Sequence, residues 1–347
     1  MALILSATNY GRTETVNGEK VYRYRPWVAV LIFIPFILVA IFTTTASDVT
    51  LYLSSYRAIP ISLGGAWNYF VQTESKGFAL FNVLTHTVFF GNVTLYRLAV
   101  ALVQSIPLII ILRKYSTNYL LSIFLFLAGG YFHAWMLNGL RQFMAVAIIF
   151  AATPWIIEKK YFRSIIVILL AATFHRSALY MIPVIFIAQG RIWDYKTLIL
   201  IIVSAFAISL FAQNTELFND FADVVGFSTD ALDEWGDNGA NPIRALVAAV
   251  PAVLSLFYRW QLREENNPLI NFLVNVSVVT VTMNLFASFT SGILTGRMAV
   301  YTDVYNLILL PYMLWRIPEI RSRRFMHFAC VGFYFLYFLF EAGTLHL

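Results

Sequence analysis

The chain has 347 residues, of which 60% are hydrophobic and 12% are charged, and its formal net charge is +6. Soluble domains carry about 25% charged residues, so this composition excludes a soluble globular protein. Apolar runs of about 15–20 residues recur along the whole length, which predicts an all-α bundle of helices that crosses a membrane many times.

The predicted elements begin with a basic cytoplasmic leader, residues 1–26, and continue with a single integral membrane domain, residues 27–347. The first apolar run has the length of a membrane span, so we expect a span there and not a cleavable signal peptide. We predict about eleven membrane-spanning helices. They are 27–46, 95–112, 117–135, 138–157, 162–174, 177–189, 196–213, 243–260, 268–288, 298–315 and 326–342.

The apolar run 78–91 is too short for a crossing and contains Asn82 and His86, so we predict a re-entrant or surface-lying helix there. It then lies in an outer loop of about 47–94. With the N-terminus inside, most of the 24 Lys and Arg residues fall in cytoplasmic segments, as the positive-inside rule requires.

The cations left on the predicted outer side are arginines, with Lys76 as the exception. They are Arg57, Arg97, Arg141, Arg176, Arg244 and Arg297. Snorkelling to the membrane interface explains a single arginine of this kind. A whole set of arginines favours binding of a planar, multi-oxygen anion such as diphosphate.

The segment 162–189 is apolar except for His175-Arg176 at its centre. It is too short for two full crossings, which need about 40 residues. We therefore predict a tight hairpin whose turn lies in or just under the outer boundary of the bilayer. Ionisable groups at that depth usually face a cavity or a partner, which makes His175 and Arg176 candidates for function.

A second outer loop, 214–242, is acidic and contains no Lys or Arg. A solvated loop is one interpretation, and a sugar-binding segment or a lid is the other. The spacing of its carboxylates does not fit a calcium-binding loop, so we predict no metal site.

Further candidates flank the predicted outer segments. Asp48 follows the first span, Glu74 precedes the short outer helix, and His133 and Arg141 flank the turn between the third and fourth spans. Capping of a helix is the alternative role for Asp48 and Glu74, and His133 also fits an aromatic interface belt. In the tenth span, Asp303 follows Arg297 closely enough to balance its charge.

No nucleotide-binding loop, nucleophile elbow or zinc-protease motif is present in the sequence. Arginines, carboxylates and a histidine facing one compartment favour group transfer from a phosphate-activated donor. The arginines would hold the anionic leaving group, and a carboxylate or imidazole would take a proton from the acceptor hydroxyl. This chemistry needs no cofactor and no metal.

The order of these motifs resembles the EpsG/Wzy-type family of bacterial polysaccharide polymerases, over about residues 48–301. The matching motifs are Asp48-x-x-x-Tyr52-x-x-x-Tyr56, Glu74-x-x-Gly77-Phe78, Leu140-Arg141-Gln142-x-x-Ala145, Phe174-His175-x-Ser177-Ala178-Leu179 and Arg297-x-x-x-Tyr301. The resemblance implies a glycosyltransferase of the GT-C type in the bacterial inner membrane, with its active site facing the periplasm or the cell exterior. Donor and acceptor would be oligosaccharide units on undecaprenyl diphosphate, a chain-length regulator protein is a further partner, and nucleic acid is not expected.

On this hypothesis the diphosphate is bound by arginines and the acceptor hydroxyl is deprotonated by a general base. The predicted diphosphate-binding residues are Arg141, Arg176, Arg297 and Arg244; the base is His175, Asp48 or Glu74; the supporting residues are His133, Tyr301 and Asp303. Direct displacement would invert the anomeric carbon. The alternatives are an O-antigen ligase, which uses the same donor, and a non-enzymatic flippase or transporter of lipid-linked sugars, which would favour charges through the membrane depth and inverted repeats.

Overall fold

The computed structural model describes residues 10–16, 19–43, 47–60, 62–212, 240–290, 295–317 and 319–344. Most of the predicted acidic loop 214–242 therefore lies outside the described residues. The chain forms two compact units, of which the first contains Met1–Leu179 with Leu314–Leu347 and the second contains Tyr180–Met313.

The elements are helices, with one short antiparallel sheet at the N-terminus. In chain order they are β1 (Gly11–Val16), β2 (Glu19–Tyr24), α1 (Pro26–Phe42), α2 (Ser47–Arg57), α3 (Leu63–Gln72), α4 (Lys76–Val88), α5 (Val93–Tyr115), α6 (Tyr119–Ala128), a π-helix (Tyr131–Asn138), α7 (Leu140–Ala151), α8 (Thr153–Ile157), α9 (Tyr161–Phe174), a 3₁₀ turn (Arg176–Tyr180), α10 (Met181–Ile187), α11 (Tyr195–Ala212), α12 (Pro242–Phe257), α13 (Arg259–Glu265), α14 (Pro268–Phe289), α15 (Thr295–Asp303), α16 (Asn306–Trp315) and α17 (Ile320–Thr344).

Every predicted apolar run that the structure describes is helical, but most of these helices are short. Three helices in the described part of the chain are long and apolar enough to cross a membrane: Val93–Tyr115, Pro268–Phe289 and Ile320–Gly343. Two further pairs, α6 with the π-helix and α12 with α13, would each qualify as one bent span, which gives up to five. The protein is thus a polytopic helical protein, and the larger predicted number of spans is not reached because several runs break into helices of 10–17 residues.

The N-terminal residues form a β-hairpin, where the sequence predicted only a basic leader. β1 and β2 pair antiparallel, with Gly11 opposite Tyr24. The hairpin is fastened to the C-terminal end of α5, where Arg113 Nε donates to the Tyr24 carbonyl at 2.6 Å and Arg23 donates to the carbonyl of Ser116. Burial lowers the pKa of the Arg23 guanidinium, and the neighbouring Glu14 partly opposes this effect.

The chain breaks between the third and fourth predicted spans at residues other than those that the sequence predicted. The helix that starts at Tyr119 stops at Ala128, because Gly129 and Gly130 follow and Gly130 adopts φ +83°. The chain then bends by 70° into the π-helix. The predicted turn between spans 117–135 and 138–157 is therefore replaced by two breaks, one at Gly129-Gly130 and one at Gly139.

These breaks lie at the middle of α5 and not at its end. Gln104 Nε2 donates to the Leu140 carbonyl at 3.2 Å, and Gln104 lies about 16 Å along the helix axis from Val93. On the other side, Phe132 of the π-helix packs edge to face on Phe36 of α1, with ring centroids 5.0 Å apart. The segment from α6 to α7 thus turns back about halfway along the long helix.

The second unit is built around α14, which contacts α10, α11, α12 and α15. Its polar residues bind neighbouring backbone: Asn275 Nδ2 donates to the Ala188 carbonyl at 3.1 Å. Arg263 Nη2 donates to the Trp193 carbonyl at 2.6 Å, and the Trp193 indole donates to Ser255 Oγ at 3.1 Å. These contacts hold the segment 188–193 against α12, α13 and α14.

Candidate active site

Three helix ends meet in the first unit: the start of α4, the start of α7 and the end of α9. The closest approach is at Gly77, where an added Cβ would overlap the Thr173 hydroxyl and Cβ. Only glycine leaves room for α4 to lie this close to α9. Phe81 and Phe174 continue the contact one turn further on, with ring centroids 6.4 Å apart. The packing places the Glu74-Ser75 turn beside the residues that precede His175.

Arg141 is the central cation of this region. Its Nη1 donates to Ser75 Oγ at 3.3 Å, and its guanidinium carbon lies 5.7 Å from the Tyr52 ring centroid and 5.9 Å from that of Phe78. The two rings also contact each other edge to face at 5.8 Å. Two aromatic rings and a hydroxyl therefore fix the position of the guanidinium plane.

The Arg141 guanidinium retains capacity for an anion. Its Nε is buried and has no hydrogen-bond partner among the described residues. In the same part of the chain, neither Asp48 nor Glu74 forms an ion pair with it. An arginine that is oriented but not neutralised matches the requirement for binding a phosphate group.

The two predicted carboxylates lie next to residues that hold Arg141. Asp48 is half-buried and precedes Tyr52 by one turn on α2, so the two side chains share one face of that helix. Glu74 is exposed and directly precedes Ser75. The residue at the N-cap position of α4 is Ser75, so capping, the alternative role considered for Glu74, is not the role it has.

His175 lies at the break that the sequence predicted. α9 ends at Phe174, and His175 adopts an extended conformation with φ −149° and ψ 118°. Its Nδ1 lies 2.7 Å from the Ser177 hydroxyl, which is itself buried. This contact orients the ring, and Arg176 is exposed at the next position. The predicted break in the apolar run is therefore present at His175. The hairpin itself stays a prediction, since α9 belongs to the first unit and α10 packs on α14 within the second.

His133 lies on the π-helix, a rare conformation that is frequent at functional sites. Its ring contacts Phe132 at 5.2 Å and Phe338 at 5.5 Å. Nε2 is buried without a hydrogen-bond partner in the described segments. α2, which carries Asp48, packs against the same π-helix, so His133 is an internal residue near the halfway turn.

The remaining predicted residues belong to the second unit. Gly296 lies close to both Ala287 and Ala240, at 3.6 and 3.8 Å from an added Cβ, and the Ala240 amide donates to the Ala287 carbonyl at 2.9 Å. The starts of α12 and α15 thus meet at the end of α14. Arg244 and Arg297, both exposed, lie on those first turns.

Tyr301 and Asp303 are on the same helix as Arg297. Tyr301 is buried, one turn beyond Arg297, where it anchors α15 to the core of the second unit. Asp303 accepts a hydrogen bond from Asn306 Nδ2 at 2.8 Å. Its observed contact therefore stabilises the junction between α15 and α16.

Sequence reasoning missed Ser75 and Thr173 as parts of the site. Ser75 holds Arg141 from a position 66 residues away, and Thr173 receives the backbone of Gly77. The available signal was Gly77 within the motif after Glu74, since a glycine near the start of a helix often marks close backbone approach.

A family model for the EpsG family matches residues 27–346. The chain therefore belongs to the EpsG family, a Wzy-like family of polysaccharide polymerases. Neither the curated proteins nor the solved structures contain a significant match to this chain.

Proposed function

We propose that this EpsG-family protein joins oligosaccharide repeat units carried on undecaprenyl diphosphate, at the outer face of the bacterial cytoplasmic membrane. Membership of the family supports a membrane enzyme of polysaccharide synthesis. The state of Arg141 carries the finer proposal. Ser75 and two rings orient its guanidinium, but its buried Nε has no partner among the described residues. A GT-C-like arrangement of the membrane helices belongs to the same proposal.

In the proposed reaction, a hydroxyl of the acceptor sugar attacks the anomeric carbon of the donor glycan. The new glycosidic bond forms as the bond between that carbon and undecaprenyl diphosphate breaks, and the electron pair leaves with the diphosphate. Arg141 stabilises the charge that develops on this leaving group. Arg176, which is exposed in the same unit, would contribute a further cation. The roles of Arg244 and Arg297 stay predictions from the sequence. The hydroxyl proton passes to a base, and the configuration at the anomeric carbon inverts.

The base remains one of His175, Asp48 and Glu74. His175 is favoured by its place at a helix break and by the contact of Nδ1 with the Ser177 hydroxyl, which orients the ring. Asp48 and Glu74 are favoured by position. Asp48 lies one helical turn before Tyr52 and Glu74 directly precedes Ser75, and Tyr52 and Ser75 both contact Arg141. Each of the three assignments stays a proposal, and the experiment must separate them.

The test of the arginine assignment is polymerisation of a purified lipid-linked repeat unit by protein in nanodiscs. We expect Arg141→Ala to lower turnover about 100- to 1,000-fold and Arg141→Lys to restore it only partly, because lysine lacks the planar fork. Arg163→Ala is the matched control, since Arg163 is an exposed arginine near the opposite end of α9. Wild-type turnover of Arg141→Ala would contradict the proposal.

The base is tested by His175→Ala, Asp48→Asn and Glu74→Gln in the same assay. We expect one of the three to lose activity throughout the pH range while the other two retain it. Full turnover in all three variants would exclude the assignment.

Deletion of the gene separates a polymerase from its alternatives. A polymerase is indicated if the long-chain ladder of surface glycan disappears on a gel while a single attached unit remains. Loss of all attached glycan would instead indicate a ligase or a flippase.

A further inference from the structure

A small cavity lies in the second unit, at the turn that connects α10 to α11. Its volume is about 10 Å³, which is room for one group of the size of a water molecule or an ammonium ion. Asp194, Lys196 and Asn275 supply polar groups to its wall, and Ile187 and Leu200 supply apolar ones. Because Lys196 and Ile187 are exposed, the cavity is open to the surface. The proposed reaction uses none of these residues.

The buried polar group of the cavity wall is the amide of Asn275, a residue that is 7% exposed. Its Nδ2 donates to the carbonyls of Ala188 and Gly190 at 3.1 and 3.5 Å, which fixes the plane of the amide. Its Oδ1 is buried and has no hydrogen-bond partner among the described residues. A fixed amide with an unused acceptor matches a ligand that donates a hydrogen bond.

Opposite charges face the same cavity without pairing with each other. Asp194 accepts the backbone amides of Lys196 and Thr197 at its Oδ1. Within the described residues, neither the Asp194 carboxylate nor the Lys196 ammonium forms an ion pair. Gly190, at φ +117°, lies next to both, since an added Cβ would be 3.9 Å from Lys196 Nζ and 4.0 Å from Asp194 Oδ2. The glycine thus leaves space beside a cation and a carboxylate.

The cavity lies at the level expected for the headgroup of a membrane lipid. The apolar run 177–189 ends there and the run 196–213 begins there, so in a membrane this turn lies at the surface. Ile187 in the cavity wall is 43% exposed, and Val203, two turns after Lys196 on the same face of α11, is 57% exposed. A headgroup in the cavity would therefore have apolar surface beside it for its acyl chains.

We propose that this cavity binds the phosphoethanolamine headgroup of a phospholipid. The ammonium of the headgroup donates to Asn275 Oδ1 and pairs with the Asp194 carboxylate, and its phosphate pairs with the Lys196 ammonium. A short ethyl link joins the two charges of the headgroup, as the cation and the carboxylate beside Gly190 require. A choline headgroup has no N–H group and is too bulky, and a glycerol headgroup has no positive charge for Asp194. This binding is separate from the proposed polymerisation.

The first experiment measures lipid binding by the purified full-length protein in native mass spectrometry. Phosphatidylethanolamine, phosphatidylcholine and phosphatidylglycerol with identical acyl chains are added separately. We expect the wild type to bind one phosphatidylethanolamine about 10- to 100-fold more tightly than either of the others, the range of one hydrogen bond to a charged group.

Variants then remove one contact each. Lys196→Gln removes the cation from an exposed side chain, and Asp194→Asn removes the charge but keeps an oxygen for the amides that Asp194 accepts. Each should weaken the binding of phosphatidylethanolamine about 10- to 100-fold, and Asp194→Asn should leave that of phosphatidylglycerol unchanged. Arg191→Gln is the matched control, since Arg191 is exposed in the same turn but does not line the cavity. Thermal midpoints without added lipid should match the wild type in all three variants.

The opposite results overturn the inference and leave the proposed polymerisation intact. If the other phospholipids bind as tightly, or if Arg191→Gln weakens binding as much as Lys196→Gln, the surface attracts lipid without a headgroup site. If free phosphoethanolamine displaces the lipid at equal concentration, the acyl chains contribute nothing and the ligand is a soluble one. If the wild type binds no lipid, Asn275 and Asp194 serve only the local fold.

Discussion

Arginines in two regions along α5 use their N–H groups in opposite ways. At the C-terminal end, Arg113 donates to the Tyr24 carbonyl at 2.6 Å and Arg23 donates back to the Arg113 carbonyl at 3.3 Å. None of their buried nitrogens lacks a partner within the described residues. Arg97 near the N-terminal end of α5, and Arg141 of α7 beside the middle of α5, each keep buried nitrogens without one. The first pair donates to backbone carbonyls, and we call these arginines saturated. The second pair is held in place but keeps buried N–H groups without a partner in the described residues, and we call these arginines unsaturated.

The two pairs of arginines differ in the groups that lie next to them. At the C-terminal end of α5 the helix finishes, and its free carbonyls accept from arginines, as a helix terminus favours. The same solution occurs in the second unit, where Arg263 donates to the Ile192 carbonyl at 3.0 Å. Beside Arg141 the neighbours are the rings of Tyr52 and Phe78, which attract a cation without occupying its N–H groups. Replacing a saturated arginine should thus lower the stability of the protein, and replacing an unsaturated one should lower its activity.

The largest expected effect comes from changing the packing that supports Arg141. Gly77→Val would push α4 away from Thr173 and displace Ser75, and a displacement of about 1 Å can lower a rate about 100-fold. We expect polymerisation in nanodiscs to fall at least that far. Thr173→Gly in the same chain should recover part of it, because it removes the atoms that the new side chain meets.

Gly343→Val is the matched control, since nothing lies within 4 Å of that position. If Gly77→Val polymerises at the rate of this control, close contact of α4 with α9 is not needed for the site.

The intermediate effect concerns the saturated pair. Arg113→Gln removes the donor to Tyr24, and loss of a hydrogen bond to a charged group lowers the free energy of unfolding by about 1–3 kcal/mol. We expect a lower thermal midpoint and earlier proteolysis of the hairpin, while turnover per folded molecule stays at the wild-type value. A variant that is fully stable but inactive would reverse the comparison and give Arg113 a role in the reaction.

Hydropathy predicted where the helices lie but not where they bend. The break at His175 was predictable, because two ionisable residues interrupt an apolar run. The turn at Gly129-Gly130 was not, because two glycines change the average hydropathy little while allowing the left-handed conformation seen at Gly130. The pairing of β1 with β2 had a local signal in the sequence, the Asn17-Gly18 dipeptide between two alternating segments.

The sequence indicated individual residues of the candidate site but not which of them lie in contact. Residue type and predicted side selected Arg141 and His175, and the structure places both beside helix breaks. The contact of Arg141 with Ser75 joins positions 66 residues apart, and no local pattern relates them. The same holds for Arg97, whose burial depends on α1 and α5 packing together.

The smallest expected effect tests how His175 is held. Ser177→Ala removes the hydroxyl 2.7 Å from Nδ1, and one hydrogen bond of about 0.5–1.5 kcal/mol corresponds to a change of about 2- to 10-fold. If the imidazole takes part in the reaction, this loss should appear in kcat and in the pH profile, with the KM for either substrate unchanged. Ser177→Thr, which keeps the hydroxyl, should remain closer to the wild type. Unchanged kcat in Ser177→Ala would mean that the orientation of His175 is immaterial, and the base would then be Asp48 or Glu74, the carboxylates beside the unsaturated arginine.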